Sequence, residues 1–194
     1  MKIIGLTGSI GMGKSVLAEQ CRFLKIPVHD ADEAVHAMMQ PNGAAFDAVR
    51  KAFPNVIYGG KIDRQALGKI IFQDPQKRQV LESIIHPLVR ESSNQFIAQC
   101  YKRREKLCVL DIPLLFETGR DKEMEMIVCT TAPSWVQQRR VLARRNMTEE
   151  KFKNILRAQT PDLYKRLRSD YIILSCRGRR HTLNALKHLK HIDQ

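Results

Sequence analysis

Apolar residues recur along this chain with two periods, and the alternation between them sketches an architecture. Lys2–Thr7 is a short apolar run that stops at Gly8, as a buried strand does. From Lys14 to about Leu24 the apolar positions Val16, Leu17, Cys21 and Leu24 share one face of a helix. "KIPVHDAD" then reads as a second short strand ending in carboxylates. Strand, loop, helix and strand in that order predict a parallel sheet covered by helices.

Between Asp32 and about Lys106 the pattern is mostly helical. Turns fall at Pro41–Gly43 and Tyr58–Gly60, and N-caps at Asp63 and Asp74. Pro75 suits the first position of a helix. His86-Pro87 is expected to interrupt that helix. Lys106–Glu117 and Glu125–Pro133 return to buried strands. The stretch from Ser134 to Ser169 is charged and helical, with Thr148 an expected N-cap. Tyr171–Ser175 makes a fifth strand, and a closing amphipathic helix carries Leu183, Leu186 and Leu189. The expected fold is therefore α/β, three layers built on a five-stranded parallel sheet. Its expected parts are a core from 1–31, 106–133 and 169–194, a helical subdomain over 32–105, and a helical lid over 134–168.

Charge adds a requirement to this outline. The 194 residues carry 33 Lys/Arg against 20 Asp/Glu, a net +13, which points to an anionic partner. Residues 134–194 alone hold 15 Lys/Arg and 5 Asp/Glu, so 10 of the 13 excess charges lie there. Nucleic acid and a polyphosphate ligand both suit such a surface. Aromatic residues are only 6% and are not interleaved with the basic runs, which argues against a stacking platform for nucleic acid. No apolar stretch is long enough to cross a membrane, and the first residues lack a secretory pattern, so a cytoplasmic setting is expected. The five cysteines, Cys21, Cys100, Cys108, Cys129 and Cys176, form no CxxC pair and are expected as reduced thiols.

The chemistry concentrates in one loop. Gly8-Ser-Ile-Gly-Met-Gly13-Lys14-Ser15 fits G-x-x-x-x-G-K-[ST], between an expected strand and an expected helix. Glycines such as Gly8, Gly11 and Gly13 let backbone amides converge on phosphate oxygens, and Met12 and Val16 are also expected to contact ATP. The helix N-terminus adds partial positive charge. Lys14 is placed to reach the β- and γ-phosphates of ATP, and the Ser15 hydroxyl to bind Mg²⁺. Asp111 ends an apolar strand; it is either a second Mg²⁺ ligand or a strand-end hydrogen-bond acceptor. Asp32 lies past the carboxyl end of the second strand, where open parallel sheets bind ligands. It is either the base that accepts a proton from an acceptor hydroxyl or a helix cap, and Asp30 is more simply a cap. Arg140 and Arg144 are four apart on an expected helix, facing phosphate or solvent. His86 is a packing, capping or functional residue. No N/T-K-x-D base-reading motif for a GTPase occurs, and a helical insertion after strand two with an arginine-rich segment after strand four suits a small-molecule kinase with an acceptor site and a closing lid better than a switch or motor.

Several stretches together resemble the dephospho-CoA kinase family: "IGLTGSIGMGKS", "VHDADEAVH", "IDRQALGKIIF", "IIHPLV", "LDIPLLFETG" and "RAQ" at Arg157–Gln159. The resemblance covers nearly the whole chain. It implies a kinase of the nucleoside-monophosphate-kinase fold type. That kinase transfers the ATP γ-phosphate to the ribose 3′-hydroxyl of dephospho-CoA with Mg²⁺. It implies Asp32 as catalytic base, an acceptor site with Arg64, His86, Leu114 and Leu115, lid arginines Arg140 and Arg144, and Gln159 closing the lid. Ser9 stands where the family usually has Gly, and "SCRG" at Ser175–Gly178 where an Asn-containing turn usually meets adenine. The expected partners are dephospho-CoA and ATP, with no nucleic acid and no membrane, and the chain is expected as a monomer or weak homo-oligomer. Kinases acting on nucleosides or shikimate are the alternative on the same loop.

Overall fold

The structure is a computed structural model that describes residues 1–191; the last three residues of the expected core segment 169–194 lie outside the described residues. The chain divides into two compact units, Met1–His29 with the described chain from Gln99 onward, and Asp30–Ala98.

In chain order the elements are β1 (Lys2–Thr7), α1 (Lys14–Phe23), β2 (Val28–Asp30), α2 (Ala31–Met38) and α3 (Phe46–Ala52). Then come β3 (Ile57–Tyr58), β4 (Lys61–Ile62), α4 (Arg64–Gln73), α5 (Pro75–Lys102), β5 (Leu107–Asp111) and β6 (Met126–Thr131). The chain closes with α6 (Ser134–Leu142), α7 (Glu149–Ala158), α8 (Asp162–Leu167), β7 (Tyr171–Leu174) and α9 (Arg179–His191).

The first unit is built on a five-stranded parallel sheet in the order β2-β5-β1-β6-β7, with helices flanking it. Central β1 pairs β5 in the register Ile4↔Val109 and Leu6↔Asp111, and pairs β6 through Leu6↔Val128. Every residue of β5 is buried, which is why its run LCVLD is apolar without alternation until the final carboxylate. One core cluster joins Ile4, Leu6, Val109, Val128 and Ile173 of the sheet to Leu17 and Cys21 of α1 and Leu186 and Leu189 of α9. Helices α1 and α9 thus each lay one apolar face of the 3.6-residue pattern onto the strands. Helix α1 ends where Lys25 takes the left-handed conformation (φ 57°) and its amide donates to the Arg22 carbonyl.

The second unit holds α2 to α4, most of α5 and the small β3–β4 hairpin, whose turn is Gly59-Gly60. Its buried residues include Met39, Val49, Phe53, Val56 and Leu67. Asp63 caps α4 by accepting from the Gln65 and Ala66 amides, and Asp74 accepts from Gln76 and Lys77. Thr148 caps α7 through the Lys151 amide. These three caps stand as the sequence predicts.

Two expectations are corrected. The His86-Pro87 pair does not interrupt its helix: α5 runs unbroken for 28 residues with Pro87 inside. An interior proline removes one backbone hydrogen bond and costs about 3 kcal/mol, a penalty that many remaining turns can absorb. Arg144 and Arg145 are not on the helix of Arg140, because α6 stops at Leu142. The chain turns there through Asn146, at φ 60°, into the Thr148 cap, so Arg140 and Arg144 do not share a helical face.

Candidate active site

The glycine loop leaves β1 and enters α1, and tertiary contacts hold it at several points. Gly13 has φ 92°, and a Cβ there would lie 2.8 Å from the Ser175 Cβ; Gly11 has φ 75°, and its Cβ would meet Val141 Cγ2 at 2.5 Å. Neither position admits a side chain. Ser9 is not among the residues with positive φ, so its departure from the family glycine carries no backbone strain. Met12 is an anchor: its carbonyl accepts from Thr130 Oγ1 at 2.9 Å and its sulfur lies 3.1 Å from the Ala132 amide. Its own amide donates to the Ser9 carbonyl at 3.1 Å, and that of Val16 to the Gly13 carbonyl at 3.1 Å. The opening amides of a helix have no intrahelical acceptor, and those of α1 belong to Lys14 and Ser15.

Lys14 and Asp111 meet: the ammonium donates to Asp111 Oδ1 at 2.6 Å. The carboxylate sits at the end of β5 with its side chain 2% exposed. Burying it is tolerable because a cation lies against it. Arg140, half-buried on α6, donates to the Gly11 carbonyl (3.3 Å), Ser175 Oγ (2.8 Å) and the Ser175 carbonyl (3.2 Å). Gln159 Oε1 accepts from the Ile10 amide at 3.1 Å, and Gln137 Nε2 donates to the Ile10 carbonyl at 2.8 Å. The first unit therefore gathers the loop, Lys14, Asp111, Arg140 and Gln159 into one contiguous set. Ser15 is exposed at the head of α1, and Arg144 is exposed in the turn after α6. Leu115 is fully buried and Leu114 is 42% exposed, so of the two only Leu114 presents a side chain to a ligand.

The remaining expected residues belong to the second unit. Asp30 is the cap of α2, accepting from the Glu33 amide at 3.0 Å. Asp32, in the first turn of α2, is exposed and is not the residue that caps the helix. Arg64 opens α4, and its guanidinium lies 2.6 Å from His36 Nδ1. His86 is exposed on α5, which removes a core-packing role for its ring.

Sequence reasoning passed over Gln137 and treated Ser175 only as a departure from the family turn. Gln137 is a polar residue in a charged helix, and nothing in its spacing marks it as 5% exposed and bonded to the loop. Buried thiols supply no nucleophile here. Burial pushes Cys21 up to about 12, with the Asp111 charge adding to it, and pushes Cys108 up to about 12 and Cys129 to about 11. No cluster of three or more His, Cys, Asp or Glu that could hold a metal by itself occurs among the described residues.

Comparison with known proteins adds a family. The family model for dephospho-CoA kinase matches residues 2–178. The dephospho-CoA kinase of Paramagnetospirillum magneticum is 48% identical over 86% of this chain and 78% of its own length. Among solved structures, TT1252 from Thermus thermophilus superposes with a TM-score of 0.83 at 34% identity, covering 97% of this chain and 96% of that one. The dephospho-CoA kinase from Campylobacter jejuni shares the fold, with a TM-score of 0.71 at 24% identity over 99% of this chain and 98% of its own.

Proposed function

The chain belongs to the dephospho-CoA kinase family, and from that premise we propose that it transfers the γ-phosphate of ATP to the ribose 3′-hydroxyl of dephospho-CoA, giving coenzyme A and ADP. The observation that carries this reading is the Lys14–Asp111 ion pair at 2.6 Å, lying directly behind a glycine loop that opens a helix. The pair stores a cation where the triphosphate enters and a carboxylate beside it.

Four roles follow. The loop amides and the α1 N-terminus take the β- and γ-phosphate oxygens. Lys14 exchanges its carboxylate for phosphate, compensating charge that spreads over the γ-phosphoryl oxygens in the transition state. Arg140 donates to the loop at the Gly11 carbonyl, which holds its guanidinium beside the loop, where it adds positive charge to the phosphates. Asp32, exposed and with its helix capped by Asp30, is the base that receives the proton of the 3′-hydroxyl. Arg64, His86 and Leu114 receive the acceptor, and Arg144 and Gln159 belong to the closing lid.

Mg²⁺ fits the donors this chain offers. The Ser15 hydroxyl and the Asp111 carboxylate are hard oxygen ligands, and two of them suit an ion that keeps water and phosphate for its other positions. When bound, Mg²⁺ neutralises charge on the β- and γ-phosphates.

The reading is tested by incubating the protein with Mg-ATP and, separately, dephospho-CoA, AMP, uridine and shikimate. Dephospho-CoA is expected to show the highest kcat/KM by a wide margin, with CoA as product. A higher value for any other acceptor overturns the assignment.

A further inference from the structure

Lys165, on α8, is the largest side chain among the described residues with no exposure at all. Its ammonium lies 2.9 Å from Glu117 Oε1 and donates to the Pro113 carbonyl at 3.2 Å. The same carbonyl accepts from Thr7 Oγ1, at the end of β1 just before the glycine loop. Glu117 Oε1 takes a second donor, the Thr160 amide, at 2.7 Å. Its other oxygen, Oε2, is buried with no hydrogen-bond partner among the described residues.

Such a pair is a poor way to gain stability. Both charges give up hydration, one carboxylate oxygen has no donor, and apolar replacements of similar volume are often neutral or better. Its geometry points elsewhere. The Thr160 amide belongs to the peptide bond that follows Gln159, where the chain leaves α7 and turns extended (φ −104°, ψ 146°). Fixing that peptide plane fixes the direction in which the Gln159 side chain departs. That side chain accepts from the Ile10 amide, while Gln137 holds the carbonyl of the same residue. The tip of the nucleotide loop is thus clamped on both polar groups of Ile10, and one clamp is anchored through Glu117.

We propose that Glu117 is a positioning residue for phosphoryl transfer: held by the buried Lys165 ammonium, its carboxylate grips the Thr160 amide and so sets Gln159 against the Ile10 amide of the loop. The inference rests on the phosphotransferase reading above for its kinetic consequence. It does not rest on that reading for the contact itself. Glu117 touches no phosphate; it acts through Gln159.

The test compares Glu117→Gln, Gln159→Ala and the double variant in the full chain. Hydrogen exchange at the Ile10 amide is read without ligand, and kcat and KM with Mg-ATP and dephospho-CoA. Because Glu117→Gln leaves Lys165 buried without its carboxylate, the paired change Glu117→Leu with Lys165→Met is made alongside; it removes both charges and the grip on Thr160 while keeping the volume filled. Expected are exchange at Ile10 faster by about tenfold or more in each variant and a kcat lower by about ten- to a hundredfold with KM for Mg-ATP nearly unchanged. The Glu117→Gln/Gln159→Ala double should be no slower than the slower single, as for two residues acting through one contact. Unchanged exchange at Ile10 in both Glu117 variants, or losses that multiply in the double, overturns the proposal. If the unsubstituted protein fails to phosphorylate dephospho-CoA, the function assignment fails while the exchange measurement still decides the clamp.

Discussion

At the scale of single residues, the site is organised by charges that are kept apart from water but not from each other. Lys14 neutralises a carboxylate that is 2% exposed, so Lys14→Ala removes the cation that Asp111 was buried against and, with it, the phosphate contact proposed above. It is expected to lower kcat/KM by about 10²–10³-fold, read in a coupled ADP assay; a loss under tenfold would sink the role given to Lys14. Asp32 differs, because it is exposed and its helix is capped by Asp30. Asp32→Asn should therefore leave folding and ATP affinity in place while kcat falls by roughly 10²–10⁴-fold. Calorimetric titration of ATP beside the rate measurement separates the two effects, and retained turnover would remove Asp32 as the base.

At the scale of elements, caps were readable and interruptions were not. Asp63, Asp74 and Thr148 each bond the amides they were expected to reach, since capping is chemistry within four residues. Pro87 was expected to break α5, yet the helix passes through it. Local propensity sets the cost of that proline, but the 28-residue helix around it sets the outcome. Pro87→Ala is accordingly expected to stabilise the chain by about 1–2 kcal/mol, the restored helical bond being partly offset by a freer unfolded chain. A higher thermal midpoint checks it; an unchanged or lower one means that Pro87 fills a packing role that alanine lacks. The opposite case is α6, where the arginine run suggested a longer helix and the turn at Asn146 ended it at Leu142.

At the scale of the whole molecule, the thiols buried around the sheet make stability depend on alkaline pH. Cys21 and Cys108 are raised to about 12 and Cys129 to about 11, chiefly by burial. Above about pH 9 the unfolded chain sheds thiol protons that the folded chain keeps, so this contribution is complete below pH 9 and is lost as pH rises toward 12. Each such thiol steepens the loss by up to about 1.4 kcal/mol per pH unit. Urea unfolding at several pH values from 8 to 11 should show that decline, and Cys21→Ala should flatten it; an equal slope in the variant would contradict the burial argument. Among the described residues no helix is long and apolar enough to cross a membrane.

Sequence alone determined the five sheet strands in chain order, the glycine loop with Lys14 and Ser15, and the family, because each of these is written in short spacings; the β3–β4 hairpin and the true ends of α5 and α6 were not legible there. It marked Asp111 as a strand-end carboxylate but could not say what faces it. Only the tertiary structure decided that Lys14 lies on Asp111, that Leu115 is buried while Leu114 is exposed, and that Arg140 rests on Ser175. The same holds for Gln137, Glu117 and Lys165, whose partners lie 127, 43 and 52 residues away in the chain. Periodicity and motif spacing carry information across a few turns of chain, whereas a hydrogen bond between distant segments exists only once the sheet has set its register.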